Sequence, residues 1–233
     1  MCIQVALFDL DGTLADSLPL IKHTYRRVFD EMGIPWGNED VMRWIGRPIV
    51  DIARHFAGER AEEFIQRYQH HYHRDHDRYT RLFPGTLEML QNLRTKGIQL
   101  GIVTSKGKTG AWRTVNFTGL DRYIDVMITA HDVEKHKPLP DPILKAMEIL
   151  HAQPHRTVYV GDSHFDIQAG RAAGTKTLGV TWGITVREEL ERLKPDGLLD
   201  CWGDLEQYLK GGRIWELKQW LKVTEKALKG NYD

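Results

Sequence analysis

Five short apolar runs, each followed by a helical pattern, constrain this chain more than any other feature. Residues 3–8, 99–103, 126–129, 157–160 and 177–180 are rich in β-formers and nearly continuous in apolar character. Runs of this kind are expected of central parallel strands that are covered on both faces. Helical periodicity over residues 86–96, 108–117, 142–150 and 163–173 fills the gaps between them. Strand and helix alternate through short polar or glycine-bearing turns, which predicts the α/β class with a doubly wound parallel sheet.

The rhythm breaks between residues 17 and 81, where helical patterns (18–32, 38–44, 50–56 and 59–79) run without a convincing strand. This predicts a small all-helical domain over 17–81, inserted into a core made of 1–16 and 82–233. Its linkers fall near 15–17 and 79–84, and a chain that crosses twice at one place makes a hinge. Beyond Gly183 the pattern predicts a short helix over 185–193, an edge strand over 197–199 and a helix after Gly203. A last helix over 213–229, with Ile214, Leu217, Trp220, Leu221 and Leu228 near one face, is expected to cover the core.

Composition narrows the function classes. Lys+Arg and Asp+Glu both number 32, so no global positive field recruits nucleic acid or an anionic membrane. The two cysteines, Cys2 and Cys201, lack the spacing of a metal knuckle and suit a reducing cytosol. The apolar start of the chain leads into DLDGT rather than a cleavage site and is expected to be a buried strand. No apolar stretch has the length of a bilayer span. A cytoplasmic enzyme, monomeric or homodimeric, is the expectation.

Chemistry-bearing residues gather at the predicted strand ends, where open parallel sheets bind their ligands. The first strand ends in Asp9-Leu10-Asp11-Gly12-Thr13, which brings two carboxylates into one small space. Close carboxylates repel unless a cation lies between them or one keeps its proton. A second acidic pair, Asp162 and Asp166, follows the strand at 157–160. Together Asp9, Asp11, Asp162 and Asp166 predict a hard-metal site for Mg2+ without Cys or His ligands. Thr104 and Ser105 end another strand before a helix, a ready anion site. Lys137 precedes a proline-rich stretch that restricts the backbone. Such a set suits phosphoryl transfer, with a carboxylate nucleophile dividing hydrolysis into two steps and Asp11 moving the proton in each.

In the order FDLDGTLADS, IVTSK, KPLPDP and GDSHFDI, these stations resemble the haloacid dehalogenase superfamily, in particular its phosphoglycolate phosphatase-like branch. The resemblance covers nearly the whole chain. It implies a Rossmann-like core with an inserted helical cap, and hydrolysis of a small phosphorylated metabolite with magnesium. It makes Asp9 the nucleophile and a metal ligand, and Asp11 the general acid/base with its backbone carbonyl on the metal. Thr104 and the backbone near Gly12 would contact the phosphoryl group, with Lys137 neutralising charge, Asp162 ligating the metal and Asp166 orienting that shell. Ser105 stands where many relatives have asparagine. Arg47, in a Gly/Pro-bounded turn of the insertion, is placed where this branch makes substrate contacts.

Other readings are weighed against these. Asp16 and Ser17 are expected to cap the next helix, and His70, His71, His73 and His76 to form a solvated helix face. A dehalogenase would normally lack an acid at Asp11, and Lys22 is only a nominal Schiff-base lysine for a phosphonate hydrolase. Inorganic pyrophosphatase and phosphomutase activities keep the same core residues. A non-enzymatic phosphoryl-accepting receiver would typically lack the second aspartate.

Overall fold

The computed structural model describes residues 3–211, so the predicted helix over 213–229 lies outside the described residues. The chain opens with β1 (Val5–Phe8) and a short β2 (Ala15–Asp16), followed by α1 (Leu18–Met32), α2 (Ile49–Ala57) and α3 (Ala61–Tyr79). Then come β3 (Arg81–Leu82), α4 (Thr86–Thr95), β4 (Gln99–Val103), α5 (Lys108–Thr118), β5 (Val126–Ile128) and α6 (Asp141–Ile149). The described part ends with β6 (Thr157–Gly161), α7 (His164–Ala172), β7 (Lys176–Val180), α8 (Arg187–Arg192), β8 (Gly197–Leu199) and α9 (Trp202–Leu209).

Six strands form one sheet in the order β5-β4-β1-β6-β7-β8, and every pairing in it is parallel. The doubly wound α/β architecture is therefore as expected. Alternate residues of β1 serve opposite faces. Ala6 and Phe8 join a cluster with Leu90, Ile102 and Trp202, while Val5 and Leu7 join another with Ile143, Met147 and Tyr159. With both faces covered, β1 has no polar position to spare, which explains its unbroken apolar run. The chain winds from β1 outward to β4 and β5, then returns to β6 on the other side of β1. Loops leaving β1, β4 and β6 thus diverge at one end of the sheet and open a crevice there.

The helices between residues 18 and 79 pack around a cluster of their own, built from Leu20, Tyr25, Phe29, Ile52 and Phe64. α1 buries Leu20, Ile21, Thr24, Tyr25, Val28, Phe29 and Met32, the spacing of one helical face, and stops at Gly33 in the left-handed region. Two details differ from the sequence expectation. Residues 40–44 form a 3-10 helix rather than part of a longer α-helix. The two linker segments also pair with one another, Ala15 with Leu82 and Asp16 with Arg81, as a two-residue antiparallel ladder. Among the described residues, no helix is long and apolar enough to cross a membrane.

Candidate active site

Four loops at the carboxyl ends of the strands converge. Asp9 follows β1 directly, its backbone N–H still bonded to the Val160 carbonyl at 2.9 Å, so the sheet ladder fixes the side chain's origin. Thr104 follows β4, tied in the same way to the Ile128 carbonyl at 2.9 Å. Asp162 follows β6, and Asp166 lies in the first turn of α7. There it forms a capping box with Ser163: Ser163 N–H donates to Asp166 Oδ2 at 3.0 Å and Asp166 N–H donates back to Ser163 Oγ at 3.3 Å. Lys137 reaches in from the loop after β5.

The Lys137 ammonium is the hub. It donates to Asp9 Oδ1 at 2.8 Å, to Asp166 Oδ1 at 2.6 Å and to the Tyr159 hydroxyl at 3.2 Å, with its side chain 1% exposed. Burial opposes its charge, but Asp166 and Asp9 hold it protonated well above the usual lysine range. Burial works against the charge on Asp166 too, yet Lys137, Ser163 and Tyr159 keep that carboxyl below the usual carboxylate range. Asp9 and Asp162 behave in the opposite way. Burial, with Asp166 and Asp11 adding to it against Lys137, pushes Asp9 up to about 7. Burial followed by Asp166 and Asp9 raises Asp162 well above the ordinary value.

These shifts describe a charge deficit. Asp9, Asp162 and Asp166 each offer a carboxylate oxygen within 4.8 Å of the others, and among the described residues Lys137 is the one ammonium bonded to them. Among the described residues, the Asp162 carboxylate accepts only from the Thr13 hydroxyl at 3.1 Å and the Ile184 N–H at 2.8 Å, neither carrying charge. A buried oxygen-only donor set with surplus negative charge fits a hard divalent cation such as Mg2+. Asp166 has both oxygens occupied, Oδ1 by Lys137 and Tyr159 and Oδ2 by Ser163. Asp9 Oδ2 accepts from no described residue.

Two glycines press against Asp162. A Cβ on Gly12, whose φ is +85°, would come within 2.2 Å of Asp162 Oδ2, and one on Gly183 within 2.1 Å of Asp162 Cβ. Gly183→Ala is expected to cost about 1–3 kcal/mol by overpacking. It should also displace Asp162 from its place beside Asp9 and Asp166. Thermal melts of variant and wild type check this: an unchanged Tm would contradict the packing account.

Above this cluster lies a cavity of about 220 Å³. Of the residues singled out from sequence, Asp9, Asp11, Arg47, Thr104, Ser105 and Asp162 line it. Gly12, Lys137 and Asp166 support it from behind. The Asp11 carboxylate stands apart from the other three acids: its Oδ1 accepts from Lys106 Nζ at 2.7 Å and from the Ser17 hydroxyl at 2.5 Å. Ser17 does sit at the start of α1, but its hydroxyl makes no capping bond there, contrary to expectation. Arg47 lays its guanidinium 4.9 Å from the Trp44 ring centre and 5.2 Å from that of Phe165, bridging the helical segment to α7.

Several contributors went unforeseen. Tyr159 looked like one more strand residue, but its hydroxyl donates to Asp166 Oδ1 at 2.8 Å. Lys106, next to Ser105, carried a local signal through its place at a strand end. The histidines of α3 do not all lie on a solvated face: His70 is exposed as expected, but His71 and His76 are buried, the first against Glu31 and the second between Asp77 and Thr114. His73 lines the cavity.

Residues 6–180 match the family model of haloacid dehalogenase-like hydrolases. Relatives include the pyrophosphatase PpaX of Anoxybacillus flavithermus, 40% identical over 209 residues that span 88% of this chain and 96% of that protein. The pyrophosphatase PpaX of Bacillus mycoides is 38% identical over the same shares of both chains. Among solved structures, a hydrolase from Pseudomonas syringae superposes with a TM-score of 0.81 at 27% identity, covering 89% of this chain and 98% of that one. A predicted phosphoglycolate phosphatase from Haemophilus somnus 129pt also gives 0.81, at 25% identity and coverages of 88% and 97%. Fold, loop-end acids and sequence identity agree, and the chain belongs to the haloacid dehalogenase-like hydrolase family.

Proposed function

We propose that the protein is a magnesium-dependent phosphatase that hydrolyses a small phosphorylated metabolite in the cytoplasm by way of phospho-Asp9. The observation carrying this reading is the buried Asp9 at the tip of β1, with Oδ1 held by Lys137 at 2.8 Å and the cavity beside it. Asp9 attacks phosphorus, and the bond to the leaving oxygen breaks as Asp11 gives that oxygen a proton. Water then attacks phospho-Asp9 while Asp11 takes the water's proton, which frees phosphate and restores Asp9. Thr104 and Ser105 bind the phosphoryl oxygens, and Arg47 contacts the rest of the substrate. Asp9, Asp162 and the Asp11 carbonyl would hold Mg2+, which neutralises charge where the phosphoryl oxygens meet the carboxylates. Asp166, with both oxygens committed, orients Lys137. Residues 17–81 act as a cap that closes over the core, 1–16 and 82–233, hinged at β2 and β3.

Pyrophosphate is a second substrate reading, supported by the relatives named pyrophosphatase PpaX, whose length the match nearly spans. Phosphate release from p-nitrophenyl phosphate, phosphoglycolate, other alkyl phosphates and pyrophosphate tests both. Turnover is expected with Mg2+, at least ~100-fold less in EDTA, and recovery when Mg2+ is restored. No release from any of these compounds with Mg2+ sinks the phosphatase reading. A higher kcat/KM for pyrophosphate than for every monoester selects the second substrate.

A further inference from the structure

We propose that Lys106 is a positioning residue for Asp11, holding one carboxylate oxygen so that the other faces the reacting group. The proposal rests on the phosphatase reading above, in which Asp11 exchanges a proton with the leaving oxygen and then with water.

Both donors to Asp11 fall on one atom. Lys106 Nζ and the Ser17 hydroxyl each donate to Oδ1, while Oδ2 accepts from no described residue. The two oxygens are equivalent, so a half-turn about Cβ–Cγ only exchanges them, but any smaller turn would break both contacts; one oxygen stays held and the other is left for the cavity that Asp11 lines. Oδ1 can keep accepting from Lys106 whether or not Oδ2 carries a proton, so the orientation survives both halves of the reaction. Charge-assisted bonds of this kind are shorter and stronger than neutral ones.

A lysine normally spends its side-chain freedom poorly on one contact. Lys106 is confined along its whole length. Its N–H donates to Thr104 Oγ1 at 3.2 Å, and its carbonyl accepts from Ala130 N–H at 3.0 Å. Its stem runs beside Gly110 of α5, where an added Cβ would sit 3.3 Å from Lys106 Cε. Its ammonium lies 4.7 Å from the ring centre of Tyr72, on α3. The side chain is 11% exposed and that of Asp11 13%. Lys137 serves Asp9 and Asp166 in the cluster, and Lys106 serves Asp11 beside it, so each ammonium has its own acids.

Proton donation matters most for a leaving oxygen that is a strong base and little for a weak one. That difference separates a positioning role from a structural one. The test compares kcat/KM, which reads the steps through breaking of the ester bond, for p-nitrophenyl phosphate and for the alkyl phosphate that wild type hydrolyses best. K106M is expected to lose at least ~100-fold on the alkyl phosphate and less than ~5-fold on p-nitrophenyl phosphate, within the range that proton transfer supplies. K106R, which restores a donor, should recover most of the alkyl phosphate activity. Y72L keeps the ion pair but removes the ring that confines it, and should show a smaller loss with the same selectivity; it also decides the matter should K106M not fold. Equal losses on both substrates, or none on either, overturn the proposal. No turnover of either substrate by wild type overturns the phosphatase reading instead.

Discussion

Replacing Asp9 with asparagine is expected to remove turnover by a factor on the order of 10⁴ or more, the scale on which loss of a nucleophile acts. The fold should survive the change. Asn is the same size, and its amide oxygen can take the Lys137 bond that Asp9 Oδ1 accepts at 2.8 Å. An amide cannot form the acyl phosphate, so activity falls without a packing defect. A charge also disappears from a place that resists it. Burial first, then Asp166 and Asp11, raise Asp9 to about 7 against the opposing pull of Lys137. A carboxyl raised on folding contributes stability below its unfolded value of 3.8, and that contribution is lost as pH rises through about 7. Metal-free wild type should therefore lose stability relative to Asp9→Asn across that window. Phosphate-release assays and paired melts at several pH values measure both effects. Retention of more than ~1% of kcat by the variant would move the nucleophile elsewhere.

How much of this could be read from the sequence follows from how local each determinant is. The strands themselves were accessible because strands covered on both faces leave continuous apolar runs, and β4 and β8 appear at the predicted residues; their order in the sheet comes from the structure. The pairing of β2 with β3 left no pattern, since two residues carry no periodicity and the partners lie far apart in sequence. The acids at the ends of β1 and β6 were legible as a set because each pair sits within a few residues of a strand end. Their division of labour was not. Asp11 turns toward Lys106, ninety-five positions away, and away from the three acids gathered around Lys137. The burial of His71 and His76 in α3 is hidden for a similar reason. One helix face looks solvated when its neighbours are unknown, yet Glu31 of α1 meets His71 and Thr114 of α5 meets His76. Tyr159 shows the limit most plainly: its ring belongs to the apolar core, and only its hydroxyl reaches the acids.

Lys137→Met should damage both stability and activity, with the largest loss of stability among these single changes. The side chain is nearly isosteric, so packing is largely kept and the loss is one of charge. Without the ammonium, Asp166 Oδ1 loses a 2.6 Å partner and Asp9 Oδ1 a 2.8 Å partner, both in buried surroundings. Removing one member of a buried ion pair typically costs about 3–5 kcal/mol, because the remaining charge is left uncompensated. Here two carboxylates are left with that deficit, and Asp162 is close enough to worsen it. Activity falls separately, since Asp9 Oδ1 then has no ammonium beside an incoming phosphoryl group. A double variant tells the two effects apart. Adding Asp166→Asn removes one of the stranded charges and should restore much of the melting temperature while leaving turnover lost. If Lys137→Met melts within about 1 kcal/mol of wild type, on the scale expected for a neutral surface change, the ammonium does not hold these acids together. If the double variant regains activity along with stability, Lys137 acts through folding alone, and the charge balance at Asp9 must come from another group.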